Sequence, residues 1–450
     1  MLTHFLRQLV ACPDIDKSLF LPFQFSDLTI LYAAHRSGGK RNGSKLIFPV
    51  YKVNNLITHL KTNIFNRYQI YLSSFLMDFV SAFVVGAVAV YAVELGATPM
   101  QLGFIGSIGA ALYVLSSYSG GKLSDRLSRK KIILSAIIAT TISCFGLARS
   151  TVLGQLYFYY GTFNIGIGLF WPTVQSLLAD SRHRLNLTTT LSNFCISWSL
   201  GFVFGHFTCG YLTRINSILP FKWAVVLCLI ILAANYALSD SEGAQKLGSA
   251  DFLSSRNEGK RILWRRFLAC GWLANFTLVF ILSSAKMLFP KLALDIDRLD
   301  KGVLGLMLAL IHGGQLLMFW VVKYWHGWQY NRKIYIITQL SALPGTGLLW
   351  LTGNVACYAL GMFLIGLSAG FTYSASLYYS TSRPPESSTR TGYHEGFIGL
   401  GIMLGPLSGG FVSGIWNLHT PYLLCFWLLL AAFAVQLRLL YRPQANNPEN

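Results

Sequence analysis

Residues Pro99–Arg149 read PMQLGFIGSIGAALYVLSSYSGGKLSDRLSRKKIILSAIIATTISCFGLAR. Two apolar runs, 99–119 and 132–149, enclose a loop that carries Lys122, Arg126, Arg129, Lys130 and Lys131. Each run is close to the roughly 20 residues a helix needs to cross a bilayer. The segment therefore reads as a transmembrane helix, a basic loop and a second transmembrane helix.

The same pattern recurs in both directions. From Tyr68 onward the chain offers twelve such runs, at 68–94, 99–119, 132–149, 152–178, 188–212, 220–238, 266–290, 302–322, 333–352, 355–380, 390–414 and 420–441. Connections are short except for 239–265, whose nine charged residues read as a cytoplasmic linker between an N-terminal half (68–238) and a C-terminal half (266–441). The expected fold is an all-α membrane protein of twelve transmembrane helices in two six-helix halves. Residues 1–67, with nine Lys and Arg, read as an N-terminal cytoplasmic tail or an overlong gene start, and 442–450 as a second cytoplasmic tail.

Composition supports this reading. Only 12% of the 450 residues are charged and mean hydropathy is +0.49, whereas soluble domains carry about 25% charged residues. A soluble globule of this size cannot hide so much apolar surface. The net charge of +19 would suggest nucleic acid in a soluble protein. Here the basic residues sit in loops between apolar runs and suit an anionic membrane face, so no nucleic-acid partner is expected. With the N-terminus inside, 29 of the 36 Lys and Arg fall on the cytoplasmic side. The positive-inside rule thus predicts both termini in the cytoplasm, in a plasma or inner membrane. The eight cysteines show no CxxC or Cys/His spacing, and no metal or cofactor is expected.

The two halves resemble each other at an offset of 200. Gly161, Phe163, Ile165, Gly166, Ser176 and Leu177 match Gly361, Phe363, Ile365, Gly366, Ser376 and Leu377, and Gly201, Gly205 and Gly210 match Gly401, Gly405 and Gly410. An even number of spans per half preserves orientation, so the repeats are parallel and a substrate site is expected between them near the midplane.

The loop after the second span, Gly121-Lys-Leu-Ser-Asp125-Arg126-Leu-Ser-Arg129-Lys130-Lys131, resembles the signature loop of the major facilitator superfamily, G-x-x-x-D-R-x-G-R-[RK]; Ser128 replaces a glycine. The resemblance implies a transporter fold and gives Gly121, Asp125, Arg126, Arg129 and Lys130 a role in conformational switching. Span five (Gly201, Gly205 and Gly210, with His206 in place of the proline and Cys209 in place of a glycine) and, more closely, span eleven (Gly401, Gly405, Pro406, Gly409, Gly410) resemble the family's G-x-x-x-G-P-x-x-G-G element, which is associated with exporters in its fifth span. Small residues four apart also let helix backbones touch, and proline bends a helix. In span four, Thr162 stands where the family's drug–proton antiporters carry an arginine.

Polar groups at membrane depth are costly and point to function. Asp78 lies ten residues into span one, about 15 Å deep. Asn164, Asn275 and His312 fall at similar depth, and Glu395 nearer the cytoplasm; Glu94, Arg149 and Lys286 read as snorkelling at the outer ends. Since spans one, four, seven and ten line the family's cavity, the resemblance implies a translocation path through Asp78, Asn164, Trp171, Asn275, Tyr373 and Ser376. His312, Gln315 and Glu395 join it on depth. The function expected is secondary active transport of a small organic solute by alternating access, with export one direction and a proton or sodium ion as the coupling partner. A non-transporting membrane sensor or scaffold on the same fold is the alternative. An enzyme is not expected, because no nucleophile–base spacing, phosphate loop or metal cluster is visible.

Overall fold

The computed structural model describes residues 50–124, 128–180, 187–236, 258–382 and 387–441. Among them every regular element is helical. In chain order these are α1 (Val50–Glu94), α2 (Pro99–Ser124), α3 (Arg129–Arg149), α4 (Leu153–Asp180), α5 (Leu187–Ile215), α6 (Leu219–Tyr236), α7 (Glu258–Lys291), α8 (Lys301–Tyr324), α9 (Arg332–Leu351, broken at Ser341), α10 (Val355–Thr381), α11 (Ser387–Ile415) and α12 (Thr420–Tyr441). The twelve helices coincide with the twelve apolar runs. Two begin well before the apolar pattern does, α1 at Val50 and α7 at Glu258, and α7 continues through a π-helical turn over Leu292–Ile296. Ten of the twelve are long and apolar enough to cross a membrane; α4 and α5, which are richer in Gly, Thr, Tyr, Asn and Gln, fall short on composition.

Local chemistry explains the tight ends. After α1, Gly96 adopts φ +80°, its N–H donates to Val93 O and the Ala97 N–H to Ala92 O, a Schellman stop that a glycine makes without steric cost. Ser128 caps α3 by accepting from the Lys131 N–H. A serine where the family pattern has glycine therefore still starts the helix, now with a side-chain oxygen. Asp300, Asn331 and Asn354 cap α8, α9 and α10 in the same way.

Packing repeats between the halves. α1 lies on α5 and α6, α2 on α4, and α3 on α4 and α6; adding six to each number gives the contacts of the second half. The halves meet mainly along two seams, α2 with α11 and α5 with α8. In lipid, helices gain little by leaving the apolar solvent, so close van der Waals packing must hold them. The glycines supply it. Gly201 and Gly205 press α5 on the α1 backbone at Phe75 and Phe79, and Gly401 and Gly405 press α11 on the α7 backbone at Phe276 and Phe280. Gly409 faces Leu288 of α7 and Pro421 of α12. Gly210 meets Gly305 of α8 across one seam, and Gly410 meets Gly103 of α2 across the other. The offset of 200 thus maps equivalent contacts onto one another. Ile138, Ile142, Phe145, Leu229, Ile230 and Trp427 of α3, α6 and α12 remain exposed, as a hydrocarbon-facing surface requires.

Of the signature loop, Asp125 and Arg126 lie outside the described residues. Gly121 lies near the end of α2, and Arg129 and Lys130 open α3, with the Lys130 ammonium 5.1 Å from the Tyr236 ring centre at the end of α6.

Candidate functional site

A cavity of about 240 Å³ lies between the halves. Eight of the twelve helices contribute to its wall: α1, α2, α4 and α5 from the first half and α7, α8, α10 and α11 from the second. The wall is rich in aromatic side chains, with Tyr113, Phe163, Trp171, Trp198, Phe202 and Tyr373 prominent. Trp198 joins three of its aromatic neighbours. It meets Phe202 of its own helix, Phe319 of α8 and Tyr373 of α10 edge-on, at centroid distances of 6.2, 5.2 and 5.5 Å.

The sequence-derived path is largely brought together here. Asp78, Asn164, Trp171, His312, Gln315, Tyr373 and Glu395 all line the cavity. The Asn164 amide donates to Tyr160 O at 2.8 Å, which holds it along α4. Glu395 accepts from Gln175 Nε2 at 3.2 Å, tying α11 to α4 across the halves. Two expected residues are elsewhere. Ser376 is buried behind the wall, 2.7 Å from His394 Nδ1, and Asn275 is buried outside the cavity with neither amide atom hydrogen-bonded.

Lys286 corrects the sequence reading. It does not snorkel at a helix end; it lines the same cavity as Asp78. The reason is that the helical run does not stop near Pro290 but continues to Ile296, ten residues beyond Lys286 and about 15 Å at a helical rise. Its neighbours Val279, Leu282 and Ser283 also line the cavity, so a helical face carrying Lys286 was present in the sequence at spacings of three and four. The Lys286 ammonium lies 5.2 Å from the Phe202 ring centre. Phe202 in turn stacks on His312 at 4.3 Å and 9°, and His206 of α5 stacks on His312 at 5.2 Å. Other lining residues that the sequence did not single out are Trp198, Phe202 and Gln175, which needed the tertiary fold to reach the cavity.

Beyond the cavity, on the face of the α1–α2 and α5–α6 turns, ionic contacts join the halves. The Lys301 ammonium donates to Glu94 and to Ser217 Oγ, the latter at 3.1 Å. Arg214 pairs with Asp300 at 3.2 Å, and Ser217 donates to Glu94 at 2.7 Å. Glu94 therefore belongs to an inter-half latch. Arg149, over the Phe145 ring at 5.0 Å, sits near a helix end as expected. Among the described residues no group of His, Cys, Asp and Glu is arranged to hold a metal.

The family model described as Major Facilitator Superfamily matches residues 70–393. The chain belongs to the Major Facilitator Superfamily. It is a multi-pass membrane transporter. Among its curated relatives are the Quinolone resistance protein NorA of Staphylococcus aureus (strain MRSA252), 21% identical over 383 residues that cover 82% of this chain and 95% of that one, and Multidrug resistance protein 1 of Bacillus subtilis (strain 168), 22% identical over 365 residues, covering 78% and 90%. The fold matches the crystal structure of a mutant of the nucleoside transporter NupG, with a TM-score of 0.68 at 13% identity, covering 83% of this chain and 99% of that one. Within this superfamily fold, Thr162 at the antiporter arginine position is bonded to Ser143 of α3 at 2.9 Å rather than lining the cavity.

Proposed function

We propose that this superfamily member is a secondary active exporter of small amphipathic organic solutes that works by alternating access. The observation that carries the reading is the cavity itself: an aromatic chamber shared by both halves, with Asp78 in its wall and separate inter-half contacts on its two sides. Opening toward the face of the latch requires loss of the Glu94–Lys301 and Arg214–Asp300 contacts. Opening toward the opposite face, which the basic loops assign to the cytoplasm, requires loss of the Gln175–Glu395 bond. Making one set while breaking the other exposes the chamber to one side at a time. Export is favoured by the resistance named for the NorA and Bacillus relatives. Asp78 is the proposed coupling group, where a proton and the solute compete for one carboxylate.

The test uses purified protein in vesicles, with a labelled solute chosen by thermal-shift screening, since a ligand that binds the folded state stabilises it. Asp78→Asn is expected to abolish accumulation driven by a pH gradient while leaving solute-for-solute exchange. Equal loss of both activities would make Asp78 a recognition residue only. Retention of both would assign it to structure.

A further inference from the structure

We infer that the solute is a zwitterion: an aromatic or apolar body carrying an acid group that binds Lys286 and an amine that binds Asp78. This deepens the transport reading above and rests on it for the cavity's role, but it is tested by binding alone.

Among the described lining residues, Asp78, Glu395 and Lys286 are the charged side chains. Glu395 has its partner in Gln175. Asp78 and Lys286 stand on different helices, α1 and α7, in the wall of one cavity, yet no ion pair within 4.0 Å joins them, nor does Lys286 hydrogen-bond any described residue. Opposite charges held in one low-dielectric chamber without contact each lack their best partner. A ligand with a single charge repairs one and leaves the other without its counter-ion. A zwitterion supplies both charge-assisted hydrogen bonds and leaves the chamber's net charge unchanged.

The surroundings of Lys286 fit an acid group. Both His312 ring nitrogens lack a hydrogen-bond partner although the residue is 2% exposed, and one of them is an N–H donor in the neutral ring. Phe202 touches both groups: its ring stacks on His312 at 4.3 Å and its centre lies 5.2 Å from the ammonium. On the same cavity wall as Asp78, Phe163, Trp171 and Trp198 offer ring faces and edges for an aromatic body. The other titratable groups on the wall are Tyr113 and Tyr160 from the first half and Tyr373 from the second, with His206 behind Phe202; none of these supplies a second fixed charge at neutral pH.

The experiment is calorimetric titration of the full chain in detergent at pH 7 with two matched sets. One is L-tryptophan, its methyl ester, N-acetyltryptophan and N-acetyltryptophanamide. The other is 4-(aminomethyl)benzoate with its ester, its N-acetyl form and the doubly blocked form, which places the two charges farther apart. In at least one set the zwitterion is expected to bind ten-fold or more tightly than either singly charged relative. Lys286→Gln should then bind the ester as well as the zwitterion, and Asp78→Asn should bind the N-acetyl acid as well as the zwitterion. Retained thermal unfolding midpoints show that each variant is folded. The inference is overturned if an ester, an N-acetyl acid or a blocked form binds wild type as tightly as the zwitterion in both sets, or if none of the eight compounds binds. Tight zwitterion binding without vesicle transport would instead overturn the transport reading and leave this one standing.

Discussion

Replacing Gly210 by alanine puts one methyl group into the α5–α8 seam. A Cβ at that position would lie 2.6 Å from Gly305 Cα, 2.9 Å from Lys301 O and 3.0 Å from Gly305 N. Ordinary contact begins near 3.4 Å, so the closest approach is about 0.8 Å too short. All three neighbours are backbone atoms, and no rotamer change relieves them. The helices must separate where the seam is tightest, on the latch side of the cavity. Overpacking of this kind costs about 1–3 kcal/mol. The cost falls on the state in which the seam is closed, so the equilibrium should shift roughly 5- to 150-fold toward the state open on that face. Spin labels at the exposed Ile215 and Ile296 report the separation of the halves by pulsed electron resonance. Wild type should show a short principal distance, and Gly210→Ala should gain or shift to a longer one. Gly410→Ala, whose Cβ would lie 2.6 Å from Pro99 O, should act in the same direction through the other seam. Gly414→Ala, with nothing within 4 Å, is the control. Superimposable distance distributions for wild type and Gly210→Ala would refute the assignment of that seam as a closing contact.

Lys301→Gln removes the centre of the latch; because the side chains there are partly exposed, it should shift the same equilibrium by about 0–1 kcal/mol, less than the glycine variant. Raising salt from about 0.05 to about 1 M should mimic it in wild type by screening and have less effect in the variant; an identical salt response in both would remove the latch from the mechanism. For topology, single cysteines at Asn331, in the α8–α9 connection, and Asn417, in the α11–α12 connection, should react with an impermeant maleimide from opposite sides, Asn331 from the cytoplasm. Labelling of both from one side would contradict the alternation of twelve spans.

The number of helices, the repeat that relates the two halves and the glycines that pack them were legible along the chain. Those features depend on run length, on turn residues such as Gly96 and on small residues at fixed spacing, all of which are local. Asp78, Asn164, His312 and Glu395 were legible too, because a polar group in hydrocarbon is conspicuous wherever it points. Which of these meet depended on the packing of the helices in three dimensions. A membrane helix that is apolar almost all round has no polar stripe to fix its rotation, so nothing local showed that Asn275 and Ser376 turn away from the cavity while Trp198 and Phe202 turn into it. Depth was equally hidden for Lys286: the helical run continues beyond Lys291 to Ile296, and the side chain lines the chamber with Asp78. The site is built from eight helices drawn from both halves, and its charge pattern exists only where their rotations and depths coincide.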